Sequence, residues 1–324
     1  MLRAAIWGVG KWGQTLVDSV QGKSDAIGFT VAIARTPSKY EDFAQSRGIA
    51  LASDPATVLS DPDVDAVVIA TANSLHPEHV RQAAKAGKHA FVEKPFGLEA
   101  GDALSAVRAC EKAGVVLGVG FNRRFLPAFR DLEKAVNGGD LGRILHVEGQ
   151  FSGPTGLRIE PGNWRGMAAE APAGGMTARG IHVLDAMIQL CGRIASAYAV
   201  SERRVLRAGM DDTTAMLFRF SNGTTGYLST IMATGHIWNI HVFGTKGWVE
   251  MRGQQTLVFS DLDGKETVRE YEAVDIERAE LEAFAAAVNG GAAFPVLPDD
   301  AVHTTAVLEA VTRSAETGQR VAVG

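Results

Sequence analysis

The chain has 324 residues, of which 46% are hydrophobic and 21% are charged. This length and composition predict two ordinary domains, each with its own core, and exclude a disordered chain. The net charge is −5 and the 32 Lys and Arg residues are scattered along the sequence, so nothing indicates a nucleic-acid surface or a polybasic membrane anchor. We therefore expect a small-molecule substrate as the partner, and neither nucleic acid nor a membrane.

The cysteines and the N-terminus bear on the cellular compartment. Cys110 and Cys191 lie in predicted helices with apolar neighbours, and no Cys or His spacing is typical of a metal site. Met1 leads almost directly into a predicted strand, without the apolar region of a signal peptide, and no apolar run is long enough to span a bilayer. We expect reduced packing cysteines, no metal and a cytoplasmic protein.

In the first part of the chain, apolar strands alternate with helices. The predicted strands are Leu2 to Trp7, Phe29 to Ala34, Ala66 to Thr71, His89 to Val92 and Val115 to Gly120. One predicted helix follows the glycines after Trp7, and two others cover Pro77 to Ala86 and Leu98 to Ala113. This alternation predicts an α/β Rossmann domain, a doubly wound parallel sheet, over residues 1–121.

After Asn122 the predicted strands follow one another with few helices between them. A helix near Pro127 to Val136 is followed by strands at Ile144 to Ser152, Ala195 to Leu206, Thr213 to Phe220, Thr224 to Thr230, Ile237 to Phe243, Trp248 to Met251 and Thr256 to Ser260. Helices are also predicted at Arg179 to Leu190, Asp275 to Asn289 and Asp299 to Glu316. Short turns such as Asp263-Gly264 are typical of antiparallel hairpins. Residues 122–324 are thus predicted to form an α+β domain with a large open, mostly antiparallel sheet.

The turn after the first strand reads Gly8-Val9-Gly10-Lys11-Trp12-Gly13. In such a turn the first glycine permits a tight bend, the second lets the backbone approach a pyrophosphate, and the third allows close helix packing. Because the turn lies between a strand and a helix, it predicts a dinucleotide site formed by these six residues. A merely structural glycine turn is the alternative.

The end of the second strand bears on which dinucleotide binds. The position that would carry an acid for the ribose of NAD is Ala34, and it is followed by Arg35, Thr36 and, three residues on, Lys39. Arg35 can stack on adenine and pair with a 2′-phosphate, with Thr36 and Lys39 adding a hydrogen bond and a charge. NADP is therefore expected in preference to NAD; the alternative is that Arg35 is a solvated loop charge.

Polar residues also follow the later strands of the predicted parallel sheet. One strand ends in Glu93-Lys94-Pro95, and ligands bind outside the carboxyl ends of such strands. Lys94 can thus reach a substrate lying on a nicotinamide and is the first catalytic candidate; the alternative is a salt bridge with Glu93. Further candidate cofactor contacts are Thr71, Ala72, Asn73, His76, Glu93 and Lys94.

Several ordered motifs resemble those of the glucose-fructose oxidoreductase and inositol dehydrogenase family, known as Gfo/Idh/MocA, over essentially the whole chain. They are Gly8 to Gly13, Ala86-Gly87-Lys88-His89 leading to Glu93-Lys94-Pro95, Gly120-Phe121-Asn122-Arg123-Arg124-Phe125, Asn163-Trp164-Arg165, and Gly174-Gly175 followed by His182-Val183-Leu184-Asp185. The resemblance implies hydride transfer between a nicotinamide and a carbinol or carbonyl carbon of a sugar, polyol or related compound. It also implies a homodimer or homotetramer formed through the C-terminal sheet.

The same resemblance assigns roles to two residues. It implies that Lys94 lies near the reacting oxygen, that the Lys94-Pro95 bond is cis, and that His182 faces the nicotinamide. Lysine and histidine suit proton transfer in both directions of an alcohol oxidation. For His182 the alternative is a satisfied core histidine.

The sequence departs from the family at one position. Many members carry an aspartate four residues before the histidine, where this chain has Ala178. Either Lys94 and His182 suffice, or another residue takes over part of the role of the aspartate. The candidates are Arg179, Arg158 and Asp185, although Asp185 is equally suited to be a structural anchor.

Arginines near the motifs indicate recognition of an acid, because a guanidinium binds a carboxylate or a phosphate in a bidentate manner. A uronic acid or another carboxylated ring is therefore among the expected substrates, and surface charges are the alternative. Trp164 is expected either to stack on the nicotinamide or substrate or to be a core aromatic. The remaining candidate cofactor contacts are Arg123, Trp164 and Arg165, and the candidate substrate contacts are Lys94, Arg123, Arg158, Trp164, Arg179, His182 and Asp185.

The sequence therefore predicts an NADP-preferring oxidoreductase acting on a sugar, polyol, uronate or related molecule. One alternative is a glycosidase that uses tightly held NAD for transient oxidation, and net redox turnover would exclude it as the sole activity. A second alternative is a non-catalytic NADP-binding sensor or assembly protein, which Ala178 in place of the usual acid suggests.

Overall fold

The computed structural model describes residues 1–324, which form two compact units. The first unit comprises Met1–Asn122 and Asp275–Val302, and the second comprises Arg123–Val274 and His303–Gly324. The sequence placed the domain boundary after residue 121 and assigned residues 275–302 to the C-terminal domain, whereas residues 275–302 lie in the first unit. No helix has the length and apolar character needed to cross a membrane.

The first unit contains a parallel sheet. Its strands are β1 (Leu2–Trp7), β2 (Ile27–Ile33), β3 (Ala50–Ala52), β4 (Ala66–Ile69), β5 (His89–Glu93) and β6 (Leu117–Gly120), in the spatial order 3-2-1-4-5-6. The helices between them are α1 (Lys11–Val20), α2 (Glu41–Arg47), α3 (Pro55–Leu59), α4 (His76–Lys85) and α5 (Ala100–Ala113). All neighbouring strands are parallel, which is the Rossmann arrangement. The predicted fold of this part is confirmed.

The second unit contains a nine-stranded sheet. After α6 (Pro127–Asn137) come β7 (Ile144–Ser152), α7 (Ile181–Cys191), β8 (Ile194–Glu202), β9 (Thr213–Phe220), β10 (Thr225–Ile231), β11 (Ile237–Gly244), β12 (Gly247–Arg252), β13 (Thr256–Ser260) and β14 (Glu266–Glu270), and β15 (Val321–Ala322) ends the chain. The spatial order is 14-13-12-11-7-10-9-8-15. Neighbours are antiparallel except β7 and β10, which are parallel, so the predicted mostly antiparallel sheet is confirmed.

The late helices are α8 (Ile276–Val288) and α9 (Pro298–Thr317). The assignment of α8 to the C-terminal domain was wrong because its apolar face has its partners in the first unit. Phe284 packs edge-on against Phe91 of β5 with 5.6 Å between ring centroids, and Arg278 Nε donates to the backbone oxygen of Ser19 over 2.8 Å. Burial of these aromatic rings holds α8 against the parallel sheet.

Several short elements were not predicted. β3 and β15 have three and two residues, too few for an alternating pattern, and every residue of β14 is exposed. The predicted helix Arg179 to Leu190 is a π-helical turn, Met176–Gly180, that continues into α7. Short 3₁₀ helices cover Pro37–Tyr40, Asn73–Leu75, Asn122–Phe125, Pro154–Arg158 and Trp164–Gly166.

Candidate active site

The glycine turn between β1 and α1 has the geometry of a dinucleotide loop. Gly8 has φ +107°, and a Cβ atom there would lie 2.6 Å from the Ala70 oxygen. A Cβ on Gly13 would lie 2.0 Å from the Gly8 oxygen, whereas a Cβ on Gly10 would meet no atom within 4 Å. The first and third positions therefore require glycine for packing, and the second leaves open space before the first turn of α1. This arrangement fits a pyrophosphate.

The segment after β2 presents cations and no acid. Ala34 is buried, while the side chains of Arg35, Thr36 and Lys39 are exposed. Lys39 donates its backbone N–H to the Thr36 oxygen over 3.2 Å, which closes a tight turn. The two cationic side chains are therefore carried by one short, hydrogen-bonded segment and are available to a ligand.

The end of β5 combines a buried carboxyl group with a half-buried lysine. Glu93 is 4% exposed, and its Oε2 accepts from the backbone N–H of Lys94 over 3.2 Å. Burial raises the pKa of Glu93 to about 7, although the charge of Lys94 and the nearby indole of Trp12 act in the opposite direction. The Lys94-Pro95 peptide is cis, as expected. Glu93 thus lies inside the unit, while Lys94 extends past the strand.

His76 connects the ends of two strands. It is buried, and its Nδ1 lies 2.8 Å from the Pro95 oxygen while its Nε2 lies 3.3 Å from the Thr71 oxygen. These contacts hold the segment after β4 beside the segment after β5. Of the predicted cofactor contacts here, Thr71, Ala72 and Asn73 are half-buried, so they remain accessible to a ligand.

In the second unit, four side chains surround the ring of Phe151 on β7. The guanidinium carbons of Arg179 and Arg123 lie 4.7 and 5.8 Å from the ring centroid. The ring centroids of Trp238 and His182 lie 5.0 and 6.1 Å away. Trp238 and Phe151 are directly paired residues of β11 and β7, so the sheet register brings them together. We call Arg123, Phe151, Arg179, His182 and Trp238 the Phe151 cluster.

The π-helical turn before α7 contributes Arg179 to this cluster. Its Nε and Nη2 donate to the Thr155 hydroxyl over 3.3 and 3.1 Å, and its Nη1 donates to the Ser152 oxygen over 3.2 Å. Burial, followed by the charge of Arg123, lowers the pKa of Arg179. π-Helical turns within helices occur frequently at functional sites.

Asp185 and Ala178, which stands where many family members carry an aspartate, lie in different surroundings. Both carboxylate oxygens of Asp185 accept from the guanidinium of Arg124, over 2.8 and 2.6 Å, and both side chains are buried. This is the geometry of the structural anchor that the sequence left open. Ala178 packs against an apolar cluster that includes Leu206 and Met232, so an apolar side chain suits this position.

The remaining predicted substrate contacts lie in the segment between β7 and the π-helical turn. Arg158 is exposed at the end of a 3₁₀ helix. Trp164 is half-buried, and the guanidinium carbon of Arg165 lies 4.4 Å from its ring centroid. These two residues form a stacked pair of their own. Their hydrogen bonds and ring contacts do not involve the Phe151 cluster.

Two family models match this chain. An oxidoreductase family model with an NAD-binding Rossmann fold matches residues 2–121, and the GFO/IDH/MocA C-terminal domain matches residues 129–250. Together they cover most of the sequence. The chain belongs to the GFO/IDH/MocA family.

Individual relatives agree with this assignment. This GFO/IDH/MocA protein is 28% identical over 278 residues to myo-inositol 2-dehydrogenase of Thermotoga maritima, covering 81% of this chain and 79% of that one. It is 27% identical to D-xylose 1-dehydrogenase (NADP(+)) 2 of Haloferax volcanii, covering 82% of each chain. The crystal structure of aldose-aldose oxidoreductase from Caulobacter crescentus superposes with a TM-score of 0.89 at 26% identity over 99% of both chains. The GFO/IDH/MocA protein is an NAD(P)-dependent dehydrogenase.

Sequence reasoning missed part of the Phe151 cluster. It singled out Arg123, Arg179 and His182 of this GFO/IDH/MocA protein but neither of the two strand aromatics. Phe151 and Trp238 lie on β7 and β11, far apart in the sequence, and only the register of these strands pairs them. The aromatic residues themselves were visible, but a strand that alternates apolar and polar residues is equally typical of ordinary sheet packing.

Proposed function

We propose that this protein is an NADP-preferring oxidoreductase that interconverts a CH–OH group and a C=O group of a sugar, polyol or related small molecule. The observation that carries the proposal is the position of Lys94 at the carboxyl end of β5, in the same parallel sheet whose β1 leads into the open glycine turn. In such sheets, the cofactor and substrate bind at this edge. The sugar and polyol substrates of the named relatives support the same class.

Lys94 and His182 are the proposed proton-transfer residues. A nicotinamide dinucleotide held by the glycine turn and Arg35 would supply the hydride acceptor for oxidation and the hydride donor for reduction. In oxidation the hydroxyl proton passes to Lys94 or His182 as the C=O bond forms, so that an alcohol and NADP⁺ yield a carbonyl, NADPH and one proton. Glu93 stays inside the unit and contacts the Lys94 backbone, which makes it a positioning residue.

Replacing Lys94 tests this proposal. We expect Lys94→Ala to lower kcat by about 10²- to 10⁴-fold, the usual contribution of a general acid or base. The Kd for NADPH should change by less than about threefold, because the glycine turn is intact. Turnover is measured by nicotinamide absorbance over a panel of sugars, polyols and uronates, and cofactor binding by fluorescence titration.

Lys112→Ala is the matched control, since Lys112 is an exposed lysine in the last turn of α5. This variant should leave kcat and the Kd for NADPH unchanged. NADPH that stays unaltered over the whole panel would favour a sensor or assembly protein, and equal kcat values for Lys94→Ala and the parent chain would contradict the role of Lys94.

The NADP preference depends on Arg35. We expect Arg35→Ser to raise the Kd for NADPH by roughly 10- to 100-fold, because the 2′-phosphate loses a charge-assisted partner. The Kd for NADH should change little, so NADH serves as the internal control in the same titration. A parent chain that binds NADH more tightly than NADPH would overturn the preference.

We also propose that the protein is a homodimer or homotetramer formed through the nine-stranded sheet. Tyr198, Leu217 and Tyr227 lie opposite one another on β8, β9 and β10 and are exposed. A contiguous apolar row on a sheet face is typical of a surface that packs against another copy.

A further inference from the structure

Arg179 is a buried cation without an acidic partner. It is 9% exposed, and its polar contacts are the hydroxyl of Thr155 and the backbone oxygen of Ser152. Both acceptors are neutral. Arg124, which contacts α7 directly, provides the contrast, because its guanidinium forms a buried ion pair with Asp185. Burying a charge without an opposite charge is costly, so the position of Arg179 calls for an anion that the chain itself does not supply.

The surroundings of Arg179 add further donors. Arg123 contributes a second guanidinium over the same Phe151 ring, and its like charge contributes to lowering the pKa of Arg179. Trp238 is 7% exposed, and its indole N–H is buried without a hydrogen-bond acceptor. Two cations and one unused donor therefore adjoin a single aromatic ring.

A glycine leaves room for the guanidinium of Arg179. Gly153 follows β7, and a Cβ atom there would lie 2.9 Å from Arg179 Nη1 and 2.9 Å from His236 Nδ1. Any other residue would displace the arginine or the histidine. The absence of a side chain at this position thus allows Arg179 its present place.

A carboxylate matches this set of groups. The planar guanidinium binds the two oxygens of a carboxylate in a bidentate manner, and the indole N–H of Trp238 is a further donor beside the same ring. The rings of Phe151 and Trp238 provide apolar surface for the carbon skeleton of the ligand. His182, the proposed proton-transfer residue, adjoins the same ring, so an anion bound here belongs to the molecule that reacts.

We infer that the substrate is a carboxylated sugar or polyol, a uronate or aldonate, whose carboxylate is bound by Arg179 and Arg123 beside Phe151. This inference rests on the proposed oxidoreductase function and narrows its substrate class. Arg179 and Arg123 are then specificity-determining residues, and the hydroxyl that is oxidised lies elsewhere on the same molecule.

The test uses matched pairs of substrates with the purified full chain and its preferred cofactor. D-Glucuronate is compared with D-glucose, D-galacturonate with D-galactose, and D-gluconate with D-glucitol, and glucose 6-phosphate is included as a phosphorylated sugar. Turnover is followed by nicotinamide absorbance, and binding of each compound to the cofactor complex is measured by calorimetry. We expect kcat/KM for at least one carboxylated member to exceed that of its neutral partner by 100-fold or more.

Variants then locate the carboxylate. Arg179→Gln should raise KM for the carboxylated substrate at least about 30-fold, as expected when one partner of a buried charge pair is lost, while changing KM for the neutral partner less than about threefold. Arg179→Lys keeps the charge but loses the bidentate fork, and should give an intermediate KM. Arg143→Gln is the control, because Arg143 is exposed. It should leave KM for the carboxylated substrate and KM for the neutral partner unchanged.

The outcomes separate this inference from the proposed function. Turnover of neutral sugars equal to or better than that of carboxylated ones would overturn the inference and leave the oxidoreductase function standing. A preference for glucose 6-phosphate would likewise overturn it. If no compound is turned over, the proposed function fails, and calorimetric binding of a uronate that is lost in Arg179→Gln would still support the carboxylate site, whereas no uronate binding would contradict it. Should Arg179→Gln not fold, Arg123→Gln provides the same comparison from the other guanidinium.

Discussion

At the scale of single residues, Glu93 shows how burial controls protonation. Its folded pKa of about 7 exceeds the ordinary value of 4.5 because the carboxyl group is buried. Between these two values the folded chain holds a proton that the unfolded chain releases, so the contribution of Glu93 to stability falls as the pH rises. In the variant Glu93→Gln, the amide that replaces the carboxyl group does not titrate. We expect the free energy of unfolding of this variant to exceed that of the parent chain by an amount that grows from near zero at pH 4 to about 3 kcal/mol at pH 8.

Urea unfolding at a series of pH values measures this difference. Glu99→Gln is a suitable control, because Glu99 is exposed just before α5, and its stability should follow that of the parent chain at every pH. If the free energies of unfolding of Glu93→Gln and the parent chain changed in parallel from pH 5 to pH 8, burial would not raise the pKa of Glu93.

At the scale of elements, the Arg124–Asp185 pair joins the segment after β6 to α7. Removing one member leaves a buried charge without its partner, so we expect Asp185→Ala to lower the free energy of unfolding by about 3–5 kcal/mol. The double variant Arg124→Leu with Asp185→Leu should recover much of this loss, since it removes both charges. Thermal and urea unfolding of Arg124→Leu, Asp185→Leu and the double variant measure the coupling energy between the two side chains.

The exposed pair Lys134–Asp131 provides the comparison. The Lys134 side chain is 78% exposed in this pair, and exposed ion pairs contribute little to stability. Lys134→Ala should therefore lower the free energy of unfolding by less than about 1 kcal/mol. If Asp185→Ala were as stable as the parent chain but had lost substrate binding, Asp185 would be a substrate contact rather than an anchor.

At the scale of the whole molecule, the nine-stranded sheet has one exposed face with an apolar row. Leu217 is 55% exposed at the centre of this row, with Tyr198 and Tyr227 opposite it. We expect Leu217→Glu to shift the molar mass from that of an oligomer to that of a monomer, because a carboxylate would be buried at the interface. Size-exclusion chromatography with light scattering measures the mass.

Leu157→Glu is the matched control, since Leu157 is 60% exposed but lies in a 3₁₀ helix outside the sheet. It should keep the mass of the parent chain. A parent chain that is monomeric at micromolar concentration, or a Leu217→Glu variant of unchanged mass, would contradict assembly through this face.

Local patterns were sufficient for much of the fold and for part of the site. The glycine turn, the alternation of strands and helices before Asn122, and the hairpin turns after it are properties of short segments, so the sequence alone predicted both sheets. The Glu93-Lys94-Pro95 motif likewise identified the end of β5. Elements of two to five residues without a buried side chain, such as β14 and β15, carry too little pattern to be predicted.

Other features were decided only by tertiary structure, because they depend on residues distant in the chain. The sequence could not show that α8 packs with the first unit, since its apolar face fits any sheet. It left the role of Asp185 open until Arg124 was found beside it. The Phe151 cluster exists because the register of β7 and β11 pairs two aromatics next to the π-helical turn that carries Arg179. Sequence thus determined which chemical groups the protein possesses, and packing and register determined which of them meet.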